Sequence, residues 1–157
     1  MTDPKRRILL QGSLAAGAVG AAVGTGLLTS GAVLAAWPES AFTAKQLDDA
    51  LKELLGTNTY ERSDRVKLKA PDIAENGAVV PVTVEADVED IDSISIIATG
   101  NQTPLVASFN LGAGALGFVS TRIKMAKTAT VIALVKAKDQ VLSASKEVKV
   151  TIGGCGG

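Results

Sequence analysis

The sequence predicts a mainly β domain: an immunoglobulin-like antiparallel β-sandwich of about seven strands, preceded by a short helix. Three observations carry the prediction. Beyond residue 64 the apolar residues recur with a period of two, the spacing of half-buried strands. The breaks between these runs hold turn residues, at Asn76-Gly77, Gly100-Asn101, the glycines of 112–117 and Asp139-Gln140. Ahead of them, the stretch 43–55 has helical spacing. A barrel is the alternative architecture for the same pattern. The Cys…Trp…Cys core of antibody domains is absent, because the sequence has one Cys and one Trp. Likeness to immunoglobulins is therefore architectural.

Taken in order, residues 1–36 read as a cleaved export signal of the twin-arginine (Tat) type. Lys5-Arg6-Arg7 precedes Ile8-Leu9-Leu10, and a long uncharged stretch rich in Ala and Gly runs from Gly12 to Ala36. Val33-Leu34-Ala35 and Leu34-Ala35-Ala36 both meet the small-residue rule, which places cleavage after Ala35 or Ala36. A retained membrane helix is the alternative, since the stretch is long enough to span a bilayer. Its many glycines argue against that. No cysteine lies near the cleavage region, which excludes a lipoprotein signal.

Residues 37–152 form the expected domain. Thr43-Ala44-Lys45-Gln46 fits a capping box, and Leu47, Ala50, Leu51 and Leu54 follow on one helical face. Gly56 is placed to end this helix in a left-handed turn. Strands are then expected at 66–69, 79–86, 91–99, 103–109, 116–125, 128–138 and 141–152. Pro81 marks an edge position or a bulge, because proline donates no ladder bond. In the last strand Val148, Val150 and Ile152 face one way, and Glu147, Lys149 and Thr151 face the other. Residues 153–157, Gly153-Gly154-Cys155-Gly156-Gly157, are expected to be a flexible arm. Fully extended, it carries Cys155 about 10 Å beyond Ile152.

Composition removes many function classes. There is no histidine, which rules out Ser-His-Asp and Cys-His catalysis and the usual zinc and copper sites. One cysteine holds no iron–sulfur cluster and closes no internal disulfide. No cofactor of the chain's own is expected. Removing Lys5, Arg6, Arg7 and Asp3 from 16 basic and 16 acidic residues leaves 13 and 15, a net of −2. With no basic surplus and few aromatic residues, nucleic acid is an unpromising partner. Gly112-Ala113-Gly114-Ala115-Leu116-Gly117 matches G-x-G-x-x-G, but a strand follows where a dinucleotide site needs a helix. It reads as a loop. The Gly156-Gly157 pair is like the diglycine of ubiquitin-like sulfur carriers, but those are activated with ATP in the cytoplasm, and the export signal opposes that reading.

What remains is Cys155. Exported structural cysteines come in pairs, so a single thiol between two pairs of glycines points to intermolecular chemistry. The thiolate is the nucleophile, and nothing close in sequence favours it, the nearest cation being Lys149. An enzyme primes its own nucleophile, whereas a carrier leaves activation to its partners. The candidate site is therefore Cys155 as a covalent carrier residue, on an arm formed by Gly153, Gly154, Gly156 and Gly157, with no catalytic or metal-binding residues. A structural or adhesion domain with an incidental thiol, and a thiol redox enzyme, are the alternatives. The latter needs a second cysteine or a histidine, and the sequence has neither.

The signal, the sandwich pattern, Thr121-Arg122-Ile123-Lys124-Met125 and the run Lys146-Glu147-Val148-Lys149-Val150-Thr151-Ile152-Gly153-Gly154-Cys155-Gly156-Gly157 together resemble the SoxY family. That family supplies the sulfur carrier of the bacterial thiosulfate-oxidising (Sox) multienzyme system. The resemblance implies a periplasmic, non-catalytic subunit paired with SoxZ, a second β-sandwich protein. It also implies that Cys155 carries thiosulfate-derived adducts, beginning with a cysteine S-thiosulfonate. The haem-containing SoxXA, the manganese hydrolase SoxB and the sulfane dehydrogenase SoxCD would act on the arm in turn. No membrane contact is expected after cleavage.

Overall fold

The structure is a computed structural model and describes residues 38–154. The expected Tat signal with its cleavage site, and Cys155, Gly156 and Gly157, lie outside the described residues.

The expected single helix is a pair: α1 at Glu39–Thr43 and α2 at Leu47–Leu55. The capping box does not form. Thr43 belongs to the last turn of α1, where its hydroxyl donates to the carbonyls of Glu39 and Ser40. Gln46 takes the cap position of α2 without a side-chain bond. Pro38 starts α1 and so moves helix formation ahead of Thr43, turning the Thr-x-x-Gln pattern into a linker. The far end of α2 is as expected. Gly56 has φ +76°, and its N–H donates to the Lys52 carbonyl. The Leu55 carbonyl accepts from Lys136 Nζ at 3.3 Å, a cation suited to a helix C-terminus.

Nine strands follow among the described residues: β1 (Glu61–Arg62), β2 (Val66–Lys69), β3 (Ile73–Asn76), β4 (Val80–Ala86), β5 (Ile91–Ala98), β6 (Leu105–Asn110), β7 (Phe118–Ile123), β8 (Ala129–Ala137) and β9 (Gln140–Ile152). All seven expected strands are present and pair antiparallel. The larger sheet runs β1-β9-β8-β5-β6, with β3 also paired to β9, and the smaller runs β2-β4-β7. β1 and β3 were not expected. Both are short, and both lie parallel to β9, with Glu61 opposite Leu142 and Ala74 opposite Val150. The 112–117 segment is a loop leading into β7, with Gly114 at φ +77°.

Pro81 lies in the central strand of the smaller sheet rather than an edge strand. It is tolerated because β2 stops short of it. Pairing between β2 and β4 ends at Lys69 opposite Thr83, so Pro81 has a neighbour only in β7, at Arg122. The missing N–H has no ladder partner to lose on the open side.

Two apolar clusters hold the domain. Between the sheets lie Val80, Val82 and Val84 of β4, Ile94 and Ile96 of β5, Val131, Ala133 and Val135 of β8, and Val148 of β9, with Met125 fully buried beside them. The outer face of the larger sheet presents Ile97, Leu105, Ile132, Leu134 and Val141, and α1 and α2 cover it with Ala41, Ala50, Leu51 and Leu55. β5 and β8 are thus buried on both faces. That explains why their sequences are nearly continuous apolar runs instead of clean alternations. Ser95 is tolerated there because its hydroxyl pairs with that of Ser108 at 3.0 Å.

Candidate functional site

β9 is the element that delivers the chain to Cys155. Its 13 residues extend about 40 Å. Over its first part it pairs with β8, up to Val148 opposite Ala129. Beyond that point it leaves the core: Val148 is buried, Val150 half-buried, and Ile152 is 69% exposed. Other groups take over its backbone there. Thr128 replaces the β8 ladder, accepting from the Val150 N–H at 2.9 Å. On the β3 side Lys149 N–H donates to the Asp72 carbonyl, and the Thr151 hydroxyl donates to the Glu75 carbonyl at 2.8 Å. The short parallel strand β3 is therefore what keeps the end of β9 extended and in place.

Past Ile152 the structure departs from the expected free arm. Gly154 is buried, and its N–H donates to the Met125 carbonyl at 3.0 Å. The Ile152 carbonyl accepts from Gly77 N–H at 2.8 Å, and the Gly77 carbonyl accepts from Met125 N–H at 2.7 Å. Gly153 and Gly154 thus begin docked, not loose. The contacts are of backbone on backbone, and they exclude side chains. A Cβ on Gly154 would lie 2.7 Å from Ala78 N and 2.8 Å from Ala78 Cα, and one on Gly153 would overlap the Ala126 carbonyl oxygen. The glycines were read from the sequence as freedom. Here the missing Cβ serves close approach, the other use of the same property.

Three residues to which the sequence analysis gave no part in the site build this seat. Gly77 follows Asn76 in the turn between β3 and β4, where Asn76 Oδ1 accepts from Ala78 N–H at 2.8 Å. Met125 sits at the end of the β7 segment. Asn101, in the turn after β5, brackets Met125: its Nδ2 donates to the Lys124 carbonyl and its Oδ1 accepts from Ala126 N–H, both at 2.8 Å. The sequence signals were the Asn76-Gly77 and Gly100-Asn101 pairs, which mark turns without saying what the turns hold. The exposed Lys124 and Lys127 flank the Met125-Ala126 segment against which Gly153 and Gly154 lie.

A cavity of about 490 Å³ is lined by Arg65, Asp87, Glu89, Leu116, Lys138 and Gln140, at the opposite end of β9. Lys138 there is held above the ordinary lysine range by its hydrogen bond to Asp90, and next by that carboxylate's charge.

A family model described as sulfur oxidation protein SoxY matches residues 51–155, so the match runs from α2 to Cys155. The solved structure of the sulfur carrier protein SoxY from Chlorobium limicola f thiosulfatophilum is 42% identical, with a TM-score of 0.61, covering 68% of this chain and 96% of that one. A Jonesia denitrificans lytic polysaccharide monooxygenase aligns at 9% identity with a TM-score of 0.39, covering 66% of each chain. No curated protein matches significantly. With the family match covering most of the sequence and the Chlorobium structure sharing its fold, the chain belongs to the SoxY family of sulfur oxidation proteins.

Proposed function

We propose that this chain is a covalent carrier of sulfur intermediates in thiosulfate oxidation, with Cys155 as the carrier residue. The observation that carries the reading is the family match, which runs as far as Cys155. The similar Chlorobium protein is itself a sulfur carrier. β9, which runs past the core to an exposed Ile152 and leads straight to Gly154 and Cys155, supports it further.

In this reading the Cys155 sulfur and the sulfane sulfur of thiosulfate become joined by a new S–S bond. The thiol proton goes to solvent, and an electron pair goes to the haem enzyme SoxXA. Water then cleaves the bond between the outer sulfur and the sulfonate group, in the manganese hydrolase SoxB. Sulfate leaves, and a persulfide stays on Cys155. SoxCD then takes six electrons from that outer sulfur while water supplies three oxygens, giving a cysteine S-sulfonate, and a second hydrolysis releases sulfate and restores the thiol. The chain itself performs none of these steps. It holds the intermediate and presents it. SoxZ is the proposed partner subunit, and the pair is exported to the periplasm by the Tat route that the Arg6-Arg7 signal serves.

The test is Cys155→Ser in a reconstituted thiosulfate-oxidising system. The variant keeps its melting temperature and supports no oxidation above the level without carrier. Oxidation at the wild-type rate would remove Cys155 from the pathway and the carrier reading with it.

A further inference from the structure

The glycine of the β3–β4 turn has no explanation in turn geometry. Gly77 does not have a positive φ, so the turn itself accepts other residues. What forbids a side chain is crowding. A Cβ on Gly77 would overlap the Met125 carbonyl oxygen and would lie 2.8 Å from Gly154 N and 2.8 Å from Val150 Cγ1. Three backbone segments, far apart in sequence, meet at this one bare position.

Their hydrogen bonds form a closed relay. Gly77 N–H donates to Ile152, Met125 N–H donates to Gly77, and Gly154 N–H donates to Met125. Loop glycines such as Gly112 and Gly114 lack this crowding: an added Cβ there would have nothing within 4 Å. We propose that Gly77 is a positioning residue for the carrier thiol, clasping Gly154 so that Cys155 leaves the sandwich from a fixed backbone point. The clasp is a finding about the backbone, and its use for a thiol rests on the carrier reading.

The clasp sets the tether length. While it is closed, one peptide unit of about 3.8 Å separates the fixed Gly154 Cα from that of Cys155. When it opens, the nearest fixed point is Ile152, and three extended residues span about 10 Å. The arm therefore has a short resting position and a long one. The bond that divides them is a single N–H···O=C contact, weak enough to open for a partner enzyme. Bulk at any of Gly77, Gly153 or Gly154 removes the short position.

Amide exchange and a spin label on Cys155 test this in the full chain. In the wild type the Gly154 N–H exchanges about tenfold or more slowly than that of Gly156, the protection given by a hydrogen bond worth a factor of ten. Gly77→Ala brings Gly154 up to the Gly156 rate and narrows the nitroxide spectrum of labelled Cys155 toward that of a free tether. Gly112→Ala changes neither. If Gly77→Ala does not fold, Gly154→Ala gives the same narrowing, because Gly154 lies beyond the last strand, against the Gly77-Ala78 turn and the clasp. Equal exchange at Gly154 and Gly156 in the wild type overturns the proposal, as does an unchanged label spectrum in the variant that folds. Neither readout involves sulfur chemistry, so the carrier reading stands or falls separately on Cys155→Ser.

Discussion

Replacing Asn101 tests whether the seat for the arm is built as described. The Asn101 side chain makes two hydrogen bonds of 2.8 Å, to the Lys124 carbonyl and from the Ala126 N–H, and so spans the Met125 peptide from both sides. Asn101→Ala removes both. A net worth of about 0.5–1.5 kcal/mol per bond gives a loss of about 1–3 kcal/mol. For a domain of this size that lowers Tm by about 3–12 °C. Asn101→Asp keeps the acceptor for Ala126 but turns a carboxylate oxygen toward the Lys124 carbonyl. Two acceptors then face each other, and the loss is at least as large as for the missing Nδ2 bond alone. Thermal unfolding followed by circular dichroism gives the global effect. Exchange at the Ala126 amide gives the local one, and it should rise in Asn101→Ala more than in Asn101→Asp. An Asn101→Ala chain within about 0.3 kcal/mol of the wild type, well below the value of one such bond, would refute the bracket.

Three other perturbations follow from the same structure. Leu51→Ala empties a fully buried position where α2 meets the outer face of the larger sheet, and should cost about 3–5 kcal/mol in denaturant unfolding; a loss under 1 kcal/mol would mean that the helix is not docked there. Exchanging Arg6-Arg7 for Lys-Lys should leave the chain in the cytoplasm, read by fractionation, and undiminished export would refute a Tat signal. Replacing Gly153-Gly154 with Val-Val cannot be accommodated in the seat, so it should lower stability by about one hydrogen bond, 0.5–1.5 kcal/mol, while small-reagent labelling of Cys155 stays normal and turnover by the partner enzymes falls. Wild-type turnover in that variant would show that neither the clasp nor a slender arm matters.

The strands were legible because burial on one face writes a period of two into the sequence, as in Val66-Lys67-Leu68-Lys69. β1 and β3 were not, for a physical reason. Glu61-Arg62 and Ile73-Ala74-Glu75-Asn76 are too short and too exposed to carry that period, and they exist as strands only because β9 offers them a free edge. The capping box failed because Thr-x-x-Gln is a local pattern, and Pro38 set the helix frame from outside it. Cys155 stood out by composition alone. Its surroundings did not, since a glycine placed for freedom and one placed for close approach are the same letter. Only the partners of Gly77, at Ile152, Met125 and Gly154, tell them apart.

The central claim is that Cys155 bears the sulfur intermediates, and intact-mass analysis tests it most directly. Protein incubated with thiosulfate, the haem enzyme and an electron acceptor should gain the mass of one thiosulfate group. Fragmentation should place the gain on Cys155, and reductant should remove it, as expected of a disulfide-type bond. Cys155→Ser should stay at its unmodified mass. An adduct that survives reductant, one located on another residue, or wild-type protein that remains unmodified under turnover would contradict the account.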